Sequence, residues 1–192
     1  MKTTSVILVG VGGQGILLAS EIVAQAAVAA GHDVKTNEVH GMAQRGGSVM
    51  AQIRYGKEVF SPLVPRKSAK VLCSLERMEC LRHLDYLADD GLAVVSSQKI
   101  VPVTVSSGDI PYPELDEENL KSFFPNLLYI NAVERAKELG NAKVANTILL
   151  GAMSTRLGLS DEAWMTAIRK SVKKSLVDIN LKAFEEGKGN KN

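Results

Sequence analysis

Residues 6–15, VILVGVGGQG, place a glycine-rich turn between an aliphatic run and a longer helix-forming run. The β-branched and aliphatic residues 6–9 are typical of a strand buried on both faces. Residues 16–30, ILLASEIVAQAAVAA, predict a helix. This strand, turn and helix together restrict the chain to folds in which helices pack on a sheet.

The glycines of this turn follow a spacing used by phosphate-binding loops. Gly10, Gly12 and Gly15 fit G-x-G-x-x-G, and Gly13 adds another glycine. Glycine is required where a turn is tight, where φ is positive, or where a phosphate approaches the backbone. The first turn of the following helix offers N–H groups to an anion. The same spacing also fits a turn that binds nothing.

A dinucleotide-binding domain is one hypothesis for this spacing. Such a domain places an acidic residue at the end of the second strand, about 20 residues after the glycines, where it holds a ribose. Glu38 follows a predicted strand at residues 34–37 and satisfies this requirement by position. A free-standing nucleotide-binding domain therefore stays open at this point.

A second unusual segment, residues 38–47 with the sequence EVHGMAQRGG, is neither apolar nor periodic. His40 follows a strand end, where α/β domains place ligand contacts. Arg45 carries a fixed fork of donors that suits a phosphate or carboxylate. We take His40 and Arg45 as candidate catalytic residues. In the alternative interpretation, the glycines at 41, 46 and 47 only let the chain turn and Arg45 pairs with Glu38.

The remaining pattern predicts a three-layer α/β/α fold with a mostly parallel, mixed sheet and a helical C-terminal part. A hairpin from residues 48–55 into 58–61 accounts for the mixed sheet. Further strands are predicted at residues 69–75, 92–96, 101–105 and 127–130. Helices are predicted at residues 76–88, 114–124, 132–139, 143–157 and 161–183. We expect a single domain at residues 1–187 and a frayed basic tail at 188–192.

The net charge and the residues before the glycines bear on the partners and the location of the protein. The net charge of +2 over 192 residues gives no argument for a nucleic-acid or membrane partner. The apolar run before the glycines is too short for a signal peptide, so we expect a cytoplasmic protein.

Cysteine usage predicts that this chain holds no metal. Cys73 and Cys80 lack metal-ligand spacing and are expected to be buried, reduced thiols. An iron–sulfur cluster needs a larger cysteine set. If the protein handles electrons, another polypeptide carries the clusters.

Three segments together resemble a known family. VGVGGQG, NEVHGMAQRGGSVMAQIRYG and VANTILLGAM occur in the order typical of the gamma family of 2-oxoacid:ferredoxin oxidoreductases. The HGMxQRGG form is most similar to the indolepyruvate branch of that family. The resemblance covers nearly the whole chain and is far more specific than the glycine spacing alone.

The resemblance implies a subunit that depends on a large catalytic partner. Complexes of this family decarboxylate a 2-oxoacid on thiamine diphosphate with Mg²⁺. They pass electrons through [4Fe–4S] clusters to ferredoxin and release an acyl-coenzyme A. The resemblance places these cofactors on the partner, with none bound by this chain alone, and implies indolepyruvate or another aryl pyruvate as substrate.

The resemblance also assigns roles to the two glycine segments. It implies that both shape an interface near the active site, where coenzyme A phosphates enter. The residues that match the family motifs are Gly10, Gly12, Gly13, Gln14, Gly15, Gly41, Arg45, Gly46 and Gly47.

The dinucleotide hypothesis becomes weaker, because Glu38 lies inside the second motif. A third hypothesis is a purely structural subunit whose glycines serve packing. The isolated chain could also form a homodimer through its partner-binding face.

Overall fold

The computed structural model describes residues 3–41, 46–101 and 112–190. The strands are β1 (Thr4–Val11), β2 (Asp33–His40), β3 (Ser48–Gly56), β4 (Ala69–Ser74), β5 (Leu87–Ser96) and β6 (Leu127–Ile130). The helices are α1 (Ile16–Ala29), α2 (Glu79–Arg82), α3 (Glu117–Lys121), α4 (Ala132–Glu138), α5 (Ala145–Ser154), α6 (Asp161–Ser171) and α7 (Val177–Lys188). Most of the predicted strand at 101–105 lies outside the described residues.

The strands form one sheet in the order β2-β3-β1-β4-β5-β6. The neighbours β1, β4, β5 and β6 are parallel, whereas β3 is antiparallel to both β1 and β2. The mixed, mostly parallel sheet is therefore confirmed, although the predicted hairpin into residues 58–61 is wrong. The Arg54 guanidinium donates to the carbonyls of Ser61 and Leu63 at 2.9 and 3.2 Å, and this segment is an irregular loop.

Alternate residues of β1 supply two cores on opposite faces of the sheet. Val6 and Leu8 pack into the larger core with α1, α5, α6 and α7, while Ile7 and Val9 pack into the smaller one. The smaller core is covered by short elements that include Cys80 of α2 and Leu120 of α3. The three-layer prediction is confirmed, with the long helices concentrated on one face.

The predicted helix at residues 76–88 is wrong over most of its length. Only α2 is α-helical; a 3-10 turn at Leu84–Tyr86 follows, and β5 begins at Leu87. The backbone N–H groups of Lys67 and Ser68 donate to the carbonyls of Asp85 and Tyr86 at 2.8 and 3.0 Å. These bonds lead into the pairing of Leu87 with Ala69, so this part of the chain joins the sheet and does not continue a helix.

The predicted helix at residues 161–183 is divided in two. Val172 is extended, with φ −104° and ψ 157°, and separates α6 from α7. The break lets Trp164 of α6 and Phe184 of α7 pack in the same core, with ring centroids 5.4 Å apart. Lys188, where the frayed tail was expected to begin, lies in the last turn of α7 and pairs with Asp161 at 2.7 Å. The domain boundary stays a prediction.

Two glycines allow α5 and α7 to approach closely. A Cβ on Gly151 would overlap the carbonyl oxygen of Phe184, and a Cβ on Gly187 would overlap that of Ile148. The obstructing atoms are backbone, so side-chain movement cannot relieve either overlap.

We expect Gly151→Ala to lower the free energy of unfolding by at least about 2 kcal/mol, because the helices must separate. Gly189→Ala is the control: a Cβ there meets its nearest atom, the Glu186 carbonyl oxygen, at 3.4 Å. It should change stability by less than about 0.5 kcal/mol. Urea denaturation measures both, and equal effects would show that the helix crossing is not tightly packed.

Candidate functional site

A cleft of about 710 Å³ lies at the carboxyl ends of the parallel strands, the edge at which α/β sheets bind ligands. One wall is the glycine turn at residues 12–15. Leu75 follows β4 and Gln98 follows β5, so both reach the cleft from neighbouring strand ends. The start of α5, with Lys143 just before it, completes the opposite side.

The side-chain amide of Gln14 holds the glycine turn in place. Its Oε1 accepts a hydrogen bond from the Val11 N–H at 2.7 Å. Its Nε2 donates to the Leu75 carbonyl at 2.7 Å and to Gln98 Oε1 at 2.8 Å. A Cβ on Gly10 would stand 2.7 Å from Gln14 Oε1, so glycine at position 10 gives this amide its space.

Gly15 is the residue at which the turn becomes helix α1. It has φ 79° and ψ 30°, a left-handed conformation that favours glycine. Its carbonyl accepts hydrogen bonds from the Ala19 N–H at 3.0 Å and from Asn146 Nδ2 at 3.3 Å. The second bond ties the turn to α5, and a Cβ on Gly15 would lie 2.7 Å from that same Asn146 nitrogen.

The structure brings the two glycine segments together. The Gly12 N–H donates to the Gly47 carbonyl at 2.9 Å, and the Gly41 N–H donates to the Ser48 carbonyl at 2.7 Å. Gly46 has φ 70°, so the second segment also uses glycine for a positive φ. Arg45 lies outside the described residues, and its predicted role stays a prediction.

His40 and Glu38 lie on the edge strand β2, away from the glycine turn. Both are exposed, and the register places Val49 of β3 between His40 and Gly10. Because adjacent strands are about 4.8 Å apart, β2 lies about 10 Å from β1. The dinucleotide hypothesis requires the second strand beside the first, so the inserted β3 counts against Glu38 as a ribose ligand.

A buried carboxylate supports the base of the second glycine segment. Glu79 is 5% exposed, and its Oε2 accepts a hydrogen bond from Ser48 Oγ at 2.5 Å. Its Oε1 lies 3.3 Å from Arg82 Nε. Burial raises the pKa of Glu79, while the Ser48 hydrogen bond and Arg82 oppose that rise. Burial also lowers the pKa of His83, whose Nε2 lies 4.0 Å from Glu79.

A second buried carboxylate, Glu76, fixes the chain on the β5 side of the cleft. Its Oε2 accepts hydrogen bonds from the N–H groups of Met78 and Glu79 at 2.6 and 3.2 Å. Its Oε1 accepts from the Ile100 N–H at 3.2 Å and the Tyr112 hydroxyl at 2.7 Å. Ile100 lines the cleft, so Glu76 holds part of the wall from behind.

Sequence reasoning missed several residues that build the site: Glu76, Glu79, Gln98, Lys143 and Asn146. Asn146 lies within the VANTILLGAM segment, and that resemblance was the available signal. Glu76, Glu79 and Lys143 occur in predicted helices of ordinary composition, and Gln98 follows a predicted strand. Their importance follows from tertiary contacts that no local pattern encodes.

The described residues do not provide a metal or cluster site. No group of three or more His, Cys, Asp or Glu side chains within the described ranges could hold a metal ion. Cys73 and Cys80 are buried free cysteines, as predicted, and burial raises the pKa of both thiols to about 12. No helix in the described part of the chain is long and apolar enough to cross a membrane.

A known protein family and its curated relatives match nearly the whole chain. The family described as pyruvate ferredoxin/flavodoxin oxidoreductase matches residues 5–189. Indolepyruvate oxidoreductase subunit IorB of Thermococcus kodakarensis is 41% identical over an alignment of 192 residues, covering 97% of this chain and 95% of the relative.

Solved structures show the same fold. The gamma subunit of the keto/oxoacid ferredoxin oxidoreductase from Geobacter sulfurreducens PCA has a TM-score of 0.71 and 25% identity, covering 96% of this chain and 95% of that one. A 2-oxoglutarate:ferredoxin oxidoreductase from Magnetococcus marinus, with 2-oxoglutarate, coenzyme A and succinyl-CoA bound, has a TM-score of 0.70 and 22% identity. That match covers 98% of this chain and 31% of the larger one.

The chain belongs to the pyruvate ferredoxin/flavodoxin oxidoreductase family. Within it, the chain is the small subunit of a 2-oxoacid:ferredoxin oxidoreductase, which confirms the resemblance inferred from the motifs. It is part of an enzyme complex, and a catalytic partner subunit completes it. The family membership does not favour the hypothesis of a free-standing dinucleotide-binding domain.

We expect Gly15→Ala to destabilise the chain by about 1–3 kcal/mol, because the positive φ is strained for alanine and Asn146 stands in the way. Gly12→Ala should change stability by less than about 0.5 kcal/mol, because its new Cβ would lie 3.7 Å from the nearest atom. Chemical denaturation of both variants checks this. The reverse order of effects would contradict the assigned turn geometry.

Glu79→Gln should become more stable relative to the wild type as pH rises above 4.5, the ordinary glutamate value. A raised native pKa means that the folded state binds the proton more tightly than the unfolded state, so ionisation at higher pH costs the wild type stability. Unfolding free energies measured between pH 4 and 8 test this.

Glu134→Gln is the control, because it removes the exposed i,i+3 pair of Glu134 with Lys137. At neutral pH that variant should change the free energy of unfolding by less than about 0.5 kcal/mol. A constant difference between wild type and Glu79→Gln across the pH range would contradict the prediction.

Proposed function

We propose that this chain works with a large catalytic subunit in the oxidative decarboxylation of indolepyruvate or another aryl pyruvate to an acyl-coenzyme A. The observation that carries the proposal is the Gly12–Gly47 hydrogen bond, which joins both family motifs beside one cleft. The HGMxQRGG motif and the 41% identity to an indolepyruvate oxidoreductase subunit support the aryl substrate.

The division of labour between the two subunits is the one that the family resemblance implies. Thiamine diphosphate with Mg²⁺ and the [4Fe–4S] clusters belong to the partner, which supplies the chemistry of decarboxylation and electron transfer. In agreement with that division, no three His, Cys, Asp or Glu side chains among the described residues are grouped so that they could hold a metal ion. Ferredoxin as electron acceptor is carried over from the family resemblance, and a cytoplasmic location stays the expectation drawn from the sequence.

The role of this chain is to shape the cleft and to orient the coenzyme A that binds there. The first turn of α1 contains no acidic residue, and Gly15 provides no side-chain cap, so its N–H groups are available to an anion. The hydrogen bonds of Gln14 keep those groups in a fixed position. We assign coenzyme A phosphates to this turn, with Arg45 as a further contact and His40 as a more distant candidate.

The hypothesis of a purely structural subunit, whose glycines serve packing, differs from the coenzyme A proposal in one measurable respect. If the glycine segments serve assembly alone, Arg45→Ala will weaken the association of the subunits and leave the KM for coenzyme A unchanged. A raised KM with intact assembly supports the phosphate role. Gel filtration of the complex beside steady-state kinetics separates the two, and gel filtration of the free chain reveals any homodimer.

Purified chain mixed with indolepyruvate, thiamine diphosphate, Mg²⁺, coenzyme A and oxidised ferredoxin should show no turnover until the large subunit is added. The reason is that a [4Fe–4S] cluster is held by four cysteine thiolates, whereas the sequence contains two cysteines. Ferredoxin reduction followed by absorbance checks this. Turnover by the chain alone would refute the subunit role, and a complex inactive on every aryl pyruvate would refute the substrate assignment.

A further inference from the structure

The loop at residues 57–66, which connects β3 to β4, presents two large apolar side chains to solvent. Phe60 is 88% exposed and Leu63 is 58% exposed. Single exposed apolar residues are common on protein surfaces, but apolar residues that lie together mark interaction sites. These two lie three positions apart in one loop, so the loop is a candidate contact surface.

This loop is held in a fixed conformation at both ends and in the middle. Val59 and Val64 are buried, and their N–H groups donate to Asp33 Oδ2 and Gln52 Oε1, each at 2.8 Å. Between them, the Arg54 guanidinium holds two loop carbonyls. A loop that is ordered before a partner arrives loses little conformational entropy on binding. The exposed side chains are therefore presented for contact at low cost.

The loop covers a part of the sheet on which the other layers do not converge. On the face of the smaller core, α2 packs against β1 and β4, and α3 packs against β6. Over Gln52 and Arg54 of β3, the cover is the loop. Val39 of β2 is 48% exposed and pairs with Met50, which packs against the smaller core, so Val39 lies on the same face.

Val39, Leu63 and Phe60 follow one another along this face, and we call them the apolar strip. Val39 lies at the level of Met50, and the Leu63 carbonyl lies over Arg54. Phe60 follows Val59, which is bonded to the first residue of β2. The strip thus runs from the second glycine segment, two residues beyond Val39, toward the start of β1.

The size and position of the strip indicate what covers it. Two copies of this chain that met through Phe60 and Leu63 alone would bury on the order of a few hundred Å². A stable interface buries about 1,200–2,000 Å². The strip therefore suits one part of a larger interface. It is continuous with the second glycine segment, which the family resemblance places at an interface near the active site.

We propose that the apolar strip docks against the large catalytic subunit, with Phe60 as an anchor that enters an apolar pocket of that subunit. This docking surface rests on the subunit role in the proposed function and adds its location. The surface is separate from the cleft: from Ser48 to Arg54, β3 extends over about 20 Å. Exposed Lys35 and Lys57 flank the strip and supply a polar rim.

The test measures association of the full chain with the purified large subunit, in the absence of any 2-oxoacid. Phe60→Ser should raise the Kd of the two subunits at least about tenfold, as expected for an aromatic anchor. Leu63→Ser should act in the same direction. Because both side chains are exposed in the free chain, the thermal unfolding midpoint of each variant should match that of the wild type. Biolayer interferometry gives the Kd.

Phe123→Ser is the matched control. Phe123 is 47% exposed and follows α3, which packs on β6 at the other edge of the sheet. This variant should leave the Kd unchanged. A photoreactive benzoylphenylalanine placed at position 60 should crosslink to the large subunit, whereas the same group at position 123 should not.

Three outcomes would overturn the docking surface. One is an unchanged Kd in both Phe60→Ser and Leu63→Ser. The second is an equal loss of affinity in Phe123→Ser. The third is a crosslink from position 60 to another copy of this chain, or to neither subunit, while the complex is assembled. Association is read without turnover, so a complex that assembles but is inactive on every aryl pyruvate would count against the proposed substrate alone.

Discussion

The side-chain amide of Gln14 joins the ends of three neighbouring strands. Its oxygen closes the turn after β1, and its nitrogen reaches the carbonyl after β4 and the side chain after β5. Parallel strands have no hairpins to fix the relative positions of their ends, so such cross-links decide the shape of the site edge. The glycine at position 10 belongs to the same arrangement, because any side chain there would displace the amide.

Local patterns predicted the elements whose formation depends on their own residues. The aliphatic run of β1 and the helix α1 were both visible in the sequence. The long helix predicted at residues 76–88 was wrong because β5 already begins at Leu87, which pairs with Ala69 of β4. Helical periodicity cannot report pairing with residues that lie elsewhere in the chain.

The residues of the candidate site also fall into those that the sequence predicted and those that it did not. The glycine segments were found because glycine at a fixed spacing is itself a local signal. Gln98 and Asn146 lie 84 and 131 residues from the turn positions that they contact, and Lys143 is one lysine among many. The insertion of β3 between β1 and β2 was also invisible, and it decides whether Glu38 can act on a ligand held by the turn.

The edge strand β2 has a consequence for the life of the chain before assembly. An exposed strand with free backbone groups is a template for pairing with other chains. Over its eight residues, β2 carries Asp33, Lys35 and Glu38, and the last two are exposed. A strand added beside it would bring foreign backbone against these charges. The edge is therefore protected against aggregation, and a newly made subunit can remain dispersed until its partner is available.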